Sequence, residues 1–207
     1  MSKERSTHLF NSIAPTYGLF FRYQKKRYAK NILGMKDTID LSSYNSIIDV
    51  GCGTGAFCSA LADLNLEVTG IDPASRMLAI AKKKAGRDNI TFQEADVLDG
   101  LPFQDNQFDI AIASYVAHGM EREQRKKLYR EMSRIAKHLV IIHDYNKNRA
   151  PLTSLIEWLE GGDYFHFIKH AETEMRDCLS EMKQCFRQVE VIPIAERANW
   201  YICTPNS

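Results

Sequence analysis

The sequence predicts an α/β fold, a doubly wound sheet that is mostly parallel and carries helices on both faces. Two observations support this prediction. Short runs of β-branched and other apolar residues alternate with segments of helical periodicity, as in sheets built from right-handed strand-helix-strand crossovers. The first run, residues 47–50, also leads into a loop with glycines at Gly51, Gly53 and Gly55. A buried strand, a tight turn and a helix are therefore expected there.

The glycine loop is predicted to bind a ligand. Glycine allows a positive φ and leaves no Cβ in the way of a close approach. The spacing Gly-x-Gly-x-Gly differs from the Gly-x-Gly-x-x-Gly of dinucleotide-binding loops. Asp49 precedes the loop, and its carboxylate would repel a pyrophosphate and attract an ammonium group. The loop therefore suits a zwitterion, unless it is only a tight connection whose turn Asp49 caps.

The other elements follow in order along the chain. Residues 6–34 have aromatic residues at helical spacing and are expected to be helical. The N-terminal segment, residues 1–34, is therefore predicted to be a helical lid. Further strands are predicted at 67–72, 89–95, 108–114 and 139–143, and an amphipathic helix at 121–137. Together, residues 45–145 are expected to form the ligand-binding core.

The last third of the chain has a different character. Residues 151–185 are expected to form a helical cover that contains an aromatic patch at 164–167. Two extended runs within 186–204 can pair as a hairpin and add an antiparallel strand to the sheet. The expected fold is thus a seven-stranded sheet in a single domain, residues 1–207.

Composition narrows the class of protein. Lys+Arg 27 against Asp+Glu 26 gives a net charge of +1, so we expect neither nucleic acid nor a membrane as a partner. The start of the sequence lacks the apolar core of a signal peptide, and no apolar run reaches membrane-spanning length. These observations predict a cytoplasmic protein.

The cysteines indicate reduced thiols and no metal site. There are five, none in a Cys-x-x-Cys pair or at metal-ligand spacing with histidine. They are Cys52, Cys58, Cys178, Cys185 and Cys203.

Polar residues collect where the predicted strands end. The carboxyl ends of parallel strands share one edge of a sheet, and ligands bind there. The residues at this edge are Asp49, the 51–55 loop, Asp72, Asp96, Ser114 and His143.

Taken together, these motifs resemble the class I S-adenosylmethionine-dependent methyltransferases, whose fold is Rossmann-like. Asp-Val-Gly-Cys-Gly-Thr-Gly at 49–55 and Gly-Ile-Asp-Pro at 70–73 are similar to the first two motifs of that family. Glu-Ala-Asp-Val at 94–97 and Phe-Asp at 108–109 are similar to later ones. The leader Phe-Asn-x-x-Ala-x-x-Tyr at 10–17 resembles that of the small-molecule and quinone subgroup.

The resemblance implies S-adenosylmethionine as cofactor and S-adenosylhomocysteine as product. Asp49 would order the amino group of the cofactor, Asp72 would accept both ribose hydroxyls, and Asp96 would bind the adenine amino group with Val97 against the ring. The predicted set also includes Gly51, Cys52, Gly53, Gly55, Pro73, Met77 and Ser114. Two alternatives remain at this point: Asp72 and Pro73 could simply begin a helix, and Asp96 could simply begin a loop.

The chemistry expected is direct displacement of the methyl group onto a small organic acceptor. A base is needed only if the reacting atom carries a proton, and His118 and His143 are the candidates. The predicted acceptor-site residues are Tyr17, Tyr115, Tyr145, Tyr164 and His166. Alternatives are a non-catalytic protein that only binds the cofactor, and a nicotinamide oxidoreductase, which Asp49 and the glycine spacing disfavour.

Overall fold

The computed structural model describes residues 3–146, 171–195 and 198–206. It begins with two helices, α1 (Lys3–Leu19) and α2 (Phe21–Met35), where the sequence predicted one. Phe20 interrupts them with ψ near 1°. Because of this break, α1 packs on the fourth helix and α2 on the third. The Lys84 ammonium donates a 2.7 Å hydrogen bond to the Gly18 carbonyl and anchors the break.

Seven strands form one sheet in the order β3-β2-β1-β4-β5-β7-β6. Strands β1 to β5 pair in parallel, and β7 runs antiparallel between β5 and β6. The predicted fold class is therefore confirmed. The strands are β1 (Ser46–Val50), β2 (Glu67–Asp72), β3 (Ile90–Glu94), β4 (Phe108–Ser114), β5 (Ala136–Tyr145), β6 (Gln188–Ala195) and β7 (Ala198–Thr204).

Helices cover both faces of the sheet. The remaining helices are α3 (Ala56–Ala62), α4 (Ser75–Ala85), α5 (Arg122–Ile135) and α6 (Ala171–Cys185). Helix α5 ends earlier than predicted because Ala136 already has extended dihedrals, φ −92° and ψ 131°. Within the described residues, no helix is both long and apolar enough to span a bilayer.

The core has two layers because alternate residues of each strand point to opposite faces. One layer packs under α2 and α3, and the other under α5 and α6. The first includes Ile47, Ile112, Ile141, Ile32 and Phe57. The second includes Ile48, Ala113, Ile142, Leu128 and Met182. Neighbouring residues at a strand end therefore reach different sides of the sheet.

Candidate active site

The glycine loop has the backbone that the sequence predicted. Gly51, Gly53 and Gly55 have φ values of 76°, 53° and 75°. A Cβ at Gly51 would lie 2.6 Å from Val116 Cγ2, and one at Gly55 would lie 2.9 Å from the Phe92 ring. At Gly53 no atom lies within 4 Å of that position. Gly53 is therefore where a ligand has room to approach the backbone.

The loop is tied to the neighbouring strand. The amides of Gly51 and Cys52 both donate to the Ile71 carbonyl, at 2.8 and 2.9 Å. The Gly53 amide donates to Oδ2 of Asp72 at 2.9 Å. The Cys52 side chain is buried, which raises the pKa of its thiol to about 11. These bonds make the loop a rigid cradle rather than a set of free donors.

Asp49 is buried with half of its carboxylate unsatisfied. Its side chain is 1% exposed. Oδ2 accepts a 3.2 Å hydrogen bond from the Cys58 thiol, whereas Oδ1 has no partner within the described parts of the chain. Burial raises the pKa of Asp49 to about 7, although the Cys58 bond opposes this shift. An ammonium group beside Oδ1 would satisfy the atom and restore the charge, so the site fits the amino group of a zwitterion.

Asp72 accepts hydrogen bonds from two backbone amides, one in the glycine loop and one before α4. Oδ1 accepts from the Ala74 amide at 2.8 Å, and Oδ2 from the Gly53 amide. Burial raises the pKa of Asp72 to about 6 against the effect of these two bonds. Helix α4 starts at Ser75 with Ala74 as its N-cap, so the alternative in which Asp72 and Pro73 begin the helix is wrong. Each carboxylate oxygen keeps a lone pair for a hydroxyl donor.

Asp96 follows β3 and starts a 3-10 turn, Val97–Asp99. Its Oδ1 accepts from the Leu98 amide at 2.8 Å, and its charge contributes to the raised pKa of Asp72. The two carboxylates therefore share one edge of the sheet. Val97 is only 7% exposed and packs into the α5 side of the core.

Two predicted residues lie in the contact between α1 and α4. Met77 is 1% exposed and forms a cluster with Ala14 and Ala74. Tyr17, predicted to line the acceptor site, packs against this cluster. Its role at the acceptor site stays a prediction.

Four aromatic side chains meet at the carboxyl ends of β4 and β5. The Tyr115 ring centroid lies 4.6 Å from that of His143 and 4.8 Å from that of Tyr145. His118 lies 4.8 Å from Tyr145. Tyr115 also has φ 57°, which is rare for an aromatic residue and is characteristic of functional sites. The structure thus brings together four of the predicted catalytic and acceptor residues.

His143 belongs to a buried polar chain. Its Nδ1 lies 3.0 Å from Ser114 Oγ, which in turn donates to the Tyr28 hydroxyl at 3.1 Å. Burial lowers the pKa of His143 to about 4, so the ring is neutral near pH 7. Sequence reasoning missed Tyr28. Its signal was the seven-residue spacing from Phe21, which places both on one helix face.

His118 is paired with a buried carboxylate. Its Nδ1 lies 3.0 Å from Oδ1 of Asp144, and its amide donates to Oδ2 at 3.1 Å. Burial alone would raise the pKa of Asp144, but the charge and hydrogen bonds of His118 and the Tyr145 amide outweigh it and lower that pKa. Sequence reasoning missed Asp144. Its signal was its position directly after His143, on the opposite face of β5.

Some predictions fall outside the described residues. Tyr164, His166 and residues 151–170 of the expected helical cover lie there. In the described ranges, no group of three or more His, Cys, Asp or Glu side chains is arranged to hold a metal ion. None of the five cysteines, all of which lie in the described residues, forms a disulfide, and all are buried.

Comparison with known proteins identifies a methyltransferase domain in the chain. The family model described as "Methyltransferase domain" matches residues 47–138. The chain is 25% identical over 168 residues to an uncharacterized methyltransferase of Bacillus licheniformis, covering 79% of this chain and 77% of that protein. It is 34% identical over 116 residues to a demethylmenaquinone methyltransferase of Staphylococcus aureus, covering 52% of this chain and 46% of that protein.

A solved structure confirms the fold. The crystal structure of a putative S-adenosylmethionine-dependent methyltransferase from Methanococcus maripaludis superposes with a TM-score of 0.68. It shares 19% identity, and the match covers 95% of this chain and 94% of that one. The family model and the relatives show a methyltransferase domain, and the sheet order and the structural match show that the chain has the fold of the class I S-adenosylmethionine-dependent methyltransferases.

Proposed function

We propose that this methyltransferase acts on a small organic acceptor whose reacting atom carries a proton, with His118 as the base. The observation that carries the proposal is the 3.0 Å contact between His118 Nδ1 and Asp144 Oδ1 beside the aromatic cluster. When bound, the cofactor supplies an electrophilic methyl group, so the protein needs to orient the acceptor, exclude water and remove a proton.

The cofactor would be held by carboxylates at three strand ends. Oδ1 of Asp49 has no partner in the described parts of the chain and would accept from the amino group. Asp72 keeps acceptor capacity on both oxygens for the ribose hydroxyls, and Asp96 would accept from the adenine amino group. Gly53 leaves room for the methionine part of the cofactor.

His118 suits the role of base better than His143. A carboxylate at Nδ1 fixes the tautomer that carries its proton on that nitrogen and leaves Nε2 as the acceptor. The Nδ1 of His143 instead lies against Ser114, and its lowered pKa makes it a weak proton acceptor. We therefore assign His143, through its contact with the Tyr115 ring, the role of positioning that ring.

The acceptor would be flat and partly apolar. Tyr115 and Tyr145 line the space next to His118 with tilted rings, and aromatic faces bind planar ligands by offset or edge contacts. The similarity to demethylmenaquinone methyltransferases supports an aromatic acceptor. Gly18 occupies a leader position where an acid is usual in the quinone-type subgroup, so we favour phenolic or related acceptors over a quinone itself.

An acceptor screen tests the proposal. The purified protein is incubated with S-adenosylmethionine and a panel of small phenols, thiols, amines and carboxylic acids, and S-adenosylhomocysteine is measured. We expect product with the protonated aromatic acceptors and none in the matched Asp49→Ala sample. Cofactor binding by calorimetry without turnover on any acceptor would instead identify a non-catalytic binding protein.

A further inference from the structure

Helix α2 presents a second face that plays no part in the site. Its inner side packs Phe21, Ile32 and Met35 into the core. On the opposite side, the exposed residues Arg22, Leu33, Lys26, Lys30 and Tyr23 fall within an arc of about 100°. Leu19, the last residue of α1 before the break at Phe20, is also exposed and is counted with this face. We call these six residues the outer face of α2.

The outer face concentrates the exposed apolar surface of the described chain. Five large hydrophobic residues are exposed in the described parts of the chain: Leu19 at 81%, Phe20 at 43%, Tyr23 at 61%, Leu33 at 72% and Val191 at 38%. Four of these five lie on α2 or at its junction with α1. Such clustering marks an interaction site, whereas scattered single residues do not.

The same face is strongly cationic. Helix α2 contains Arg22, Lys25, Lys26, Arg27 and Lys30 and no acidic residue. Among the described residues, Lys25 alone of these five has an acidic partner, Asp63 at 2.8 Å. Within the described ranges, Arg22, Lys26 and Lys30 have no acidic partner, and Arg27 lies over the Tyr23 ring at 5.9 Å. The net charge of +1 for the whole chain hides this local excess.

The outer face combines cationic and apolar residues, and this combination favours a lipid bilayer over a nucleic acid as the anionic partner. A nucleic acid would engage the cations through its phosphates and has no apolar layer for Leu19 and Leu33. A lipid bilayer satisfies both, because its headgroups attract lysine and arginine while leucine and tyrosine enter the boundary with the acyl chains. Lysine stems can also cover apolar surface while their charges stay in the headgroup layer.

We propose that the outer face of α2 is a peripheral docking surface for an anionic lipid bilayer. The helix would lie along the membrane surface, as amphipathic helices with basic flanks do. Its inner side carries Tyr28, which contacts Ser114 and stacks on Phe57 at 4.3 Å. Docking therefore brings the cover of the active site next to the bilayer, where an apolar acceptor would concentrate. Docking itself does not depend on which acceptor is used.

Vesicle flotation tests the proposal. The full-length protein is mixed with vesicles of phosphatidylcholine alone, or with equal parts of phosphatidylcholine and phosphatidylglycerol, at physiological salt. We expect partition only onto the vesicles that contain phosphatidylglycerol, with loss at high salt. Lys26→Glu/Lys30→Glu should reduce the partition coefficient at least about tenfold, and Leu19→Ser/Leu33→Ser should reduce it as well.

The matched control is Lys82→Glu/Lys83→Glu, the same charge change in the exposed basic turn of α4; it should retain partition within about threefold. Calorimetric affinity for S-adenosylmethionine, unchanged in all variants, shows that each is folded. The proposal is overturned by equal partition onto both kinds of vesicle, by α2 variants that float like the control, or by tighter binding to an oligonucleotide than to the vesicles.

Discussion

His118 and Asp144 form a buried pair that joins two separate parts of the fold, the loop after β4 and the end of β5. Their side chains are 9% and 8% exposed; Oδ2 of Asp144 accepts a hydrogen bond from the His118 amide, and Oδ1 lies 3.0 Å from the imidazole Nδ1. Two contacts to one carboxylate fix the orientation of the ring as well as its position. A histidine held in this way can act on an acceptor without first reorganising.

Removal of the imidazole should lower turnover without affecting cofactor binding. For His118→Ala we expect kcat to fall by about 10²–10⁴-fold, the usual contribution of a general base, and the affinity for S-adenosylmethionine to stay the same. Initial rates at saturating cofactor, on the acceptor identified by the screen, measure this effect. Added imidazole should restore part of the rate, because the cavity left behind adjoins the reacting atom.

The control for this variant is His138→Ala. His138 also lies on β5 beside an acid, with its Nε2 3.8 Å from Asp109 Oδ1, but it is 47% exposed and lies at the opposite end of the strand. Its loss should leave turnover within about twofold. Equal activity of His118→Ala and His138→Ala would contradict the assignment of the base.

The affinity for the cofactor should depend on pH through Asp49. Without cofactor, burial raises the pKa of this carboxyl to about 7. An ammonium group binds the ionised form, so binding below that pH has to displace a proton. Affinity should therefore fall by up to about tenfold per pH unit below pH 7 and level off above it.

Calorimetry from about pH 5 to about pH 8, in buffers of different ionisation enthalpy, measures both the affinity and the proton release. A flat affinity across this range would rule out Asp49 as the partner of the amino group.

Asp49 should also make the cofactor-free protein less stable at high pH. Its folded-state pKa lies above the unfolded value of about 3.9, so the folded protein binds this proton more tightly. The free energy of unfolding should thus fall as pH rises from about 4 through about 7 and then level off. At pH 8, Asp49→Asn should raise the free energy of unfolding by an amount on the order of 2 kcal/mol while weakening cofactor binding.

Urea unfolding of the cofactor-free proteins at pH 5 and pH 8 measures this difference. Asp88→Asn serves as the control because Asp88 is exposed in the connection before β3 and should change stability by less than about 0.5 kcal/mol at either pH. If Asp49→Asn proves no more stable than the parent at pH 8, the carboxylate does not carry the desolvation cost assigned to it.

The positions of the predicted cofactor-binding residues at the strand ends were predictable from sequence because they depend on local order. Asp49, Asp72 and Asp96 each follow a strand whose apolar pattern marks its end, and parallel strands bring their carboxyl ends to one edge. The glycine spacing then determines the shape of the loop. None of these inferences needed knowledge of how distant segments approach one another.

The acceptor side was less predictable because it depends on tertiary contacts. Asp144 meets His118 only because the loop 115–121 folds back over β5, and no residue propensity specifies that path. The break at Phe20 turns α2 so that Tyr28 reaches Ser114. The start of β5 was also not predicted, because Lys137 and His138 are exposed and interrupt the apolar pattern of the strand.

A buried ion pair links this acceptor side to the last helix. Glu181 of α6 is 0% exposed and accepts two hydrogen bonds from Arg125 of α5, at 2.8 and 3.0 Å. A third bond, 2.7 Å long, joins Arg125 to the Met120 carbonyl in the loop after His118. The pair therefore holds α6, α5 and that loop together.

Removal of one partner should cost much more than removal of both. Arg125→Met leaves the Glu181 charge buried without its main partner, and we expect it to lower the free energy of unfolding by about 3–5 kcal/mol. The double variant Arg125→Met/Glu181→Leu should recover most of this loss, because neither charge is then desolvated. Urea unfolding measures both values.

Lys126→Met is the control, since Lys126 pairs at 3.0 Å with Glu123, which is 78% exposed, and its loss should cost less than about 1 kcal/mol. A double variant as unstable as Arg125→Met would mean that packing around the arginine stem, rather than the isolated charge, determines the cost.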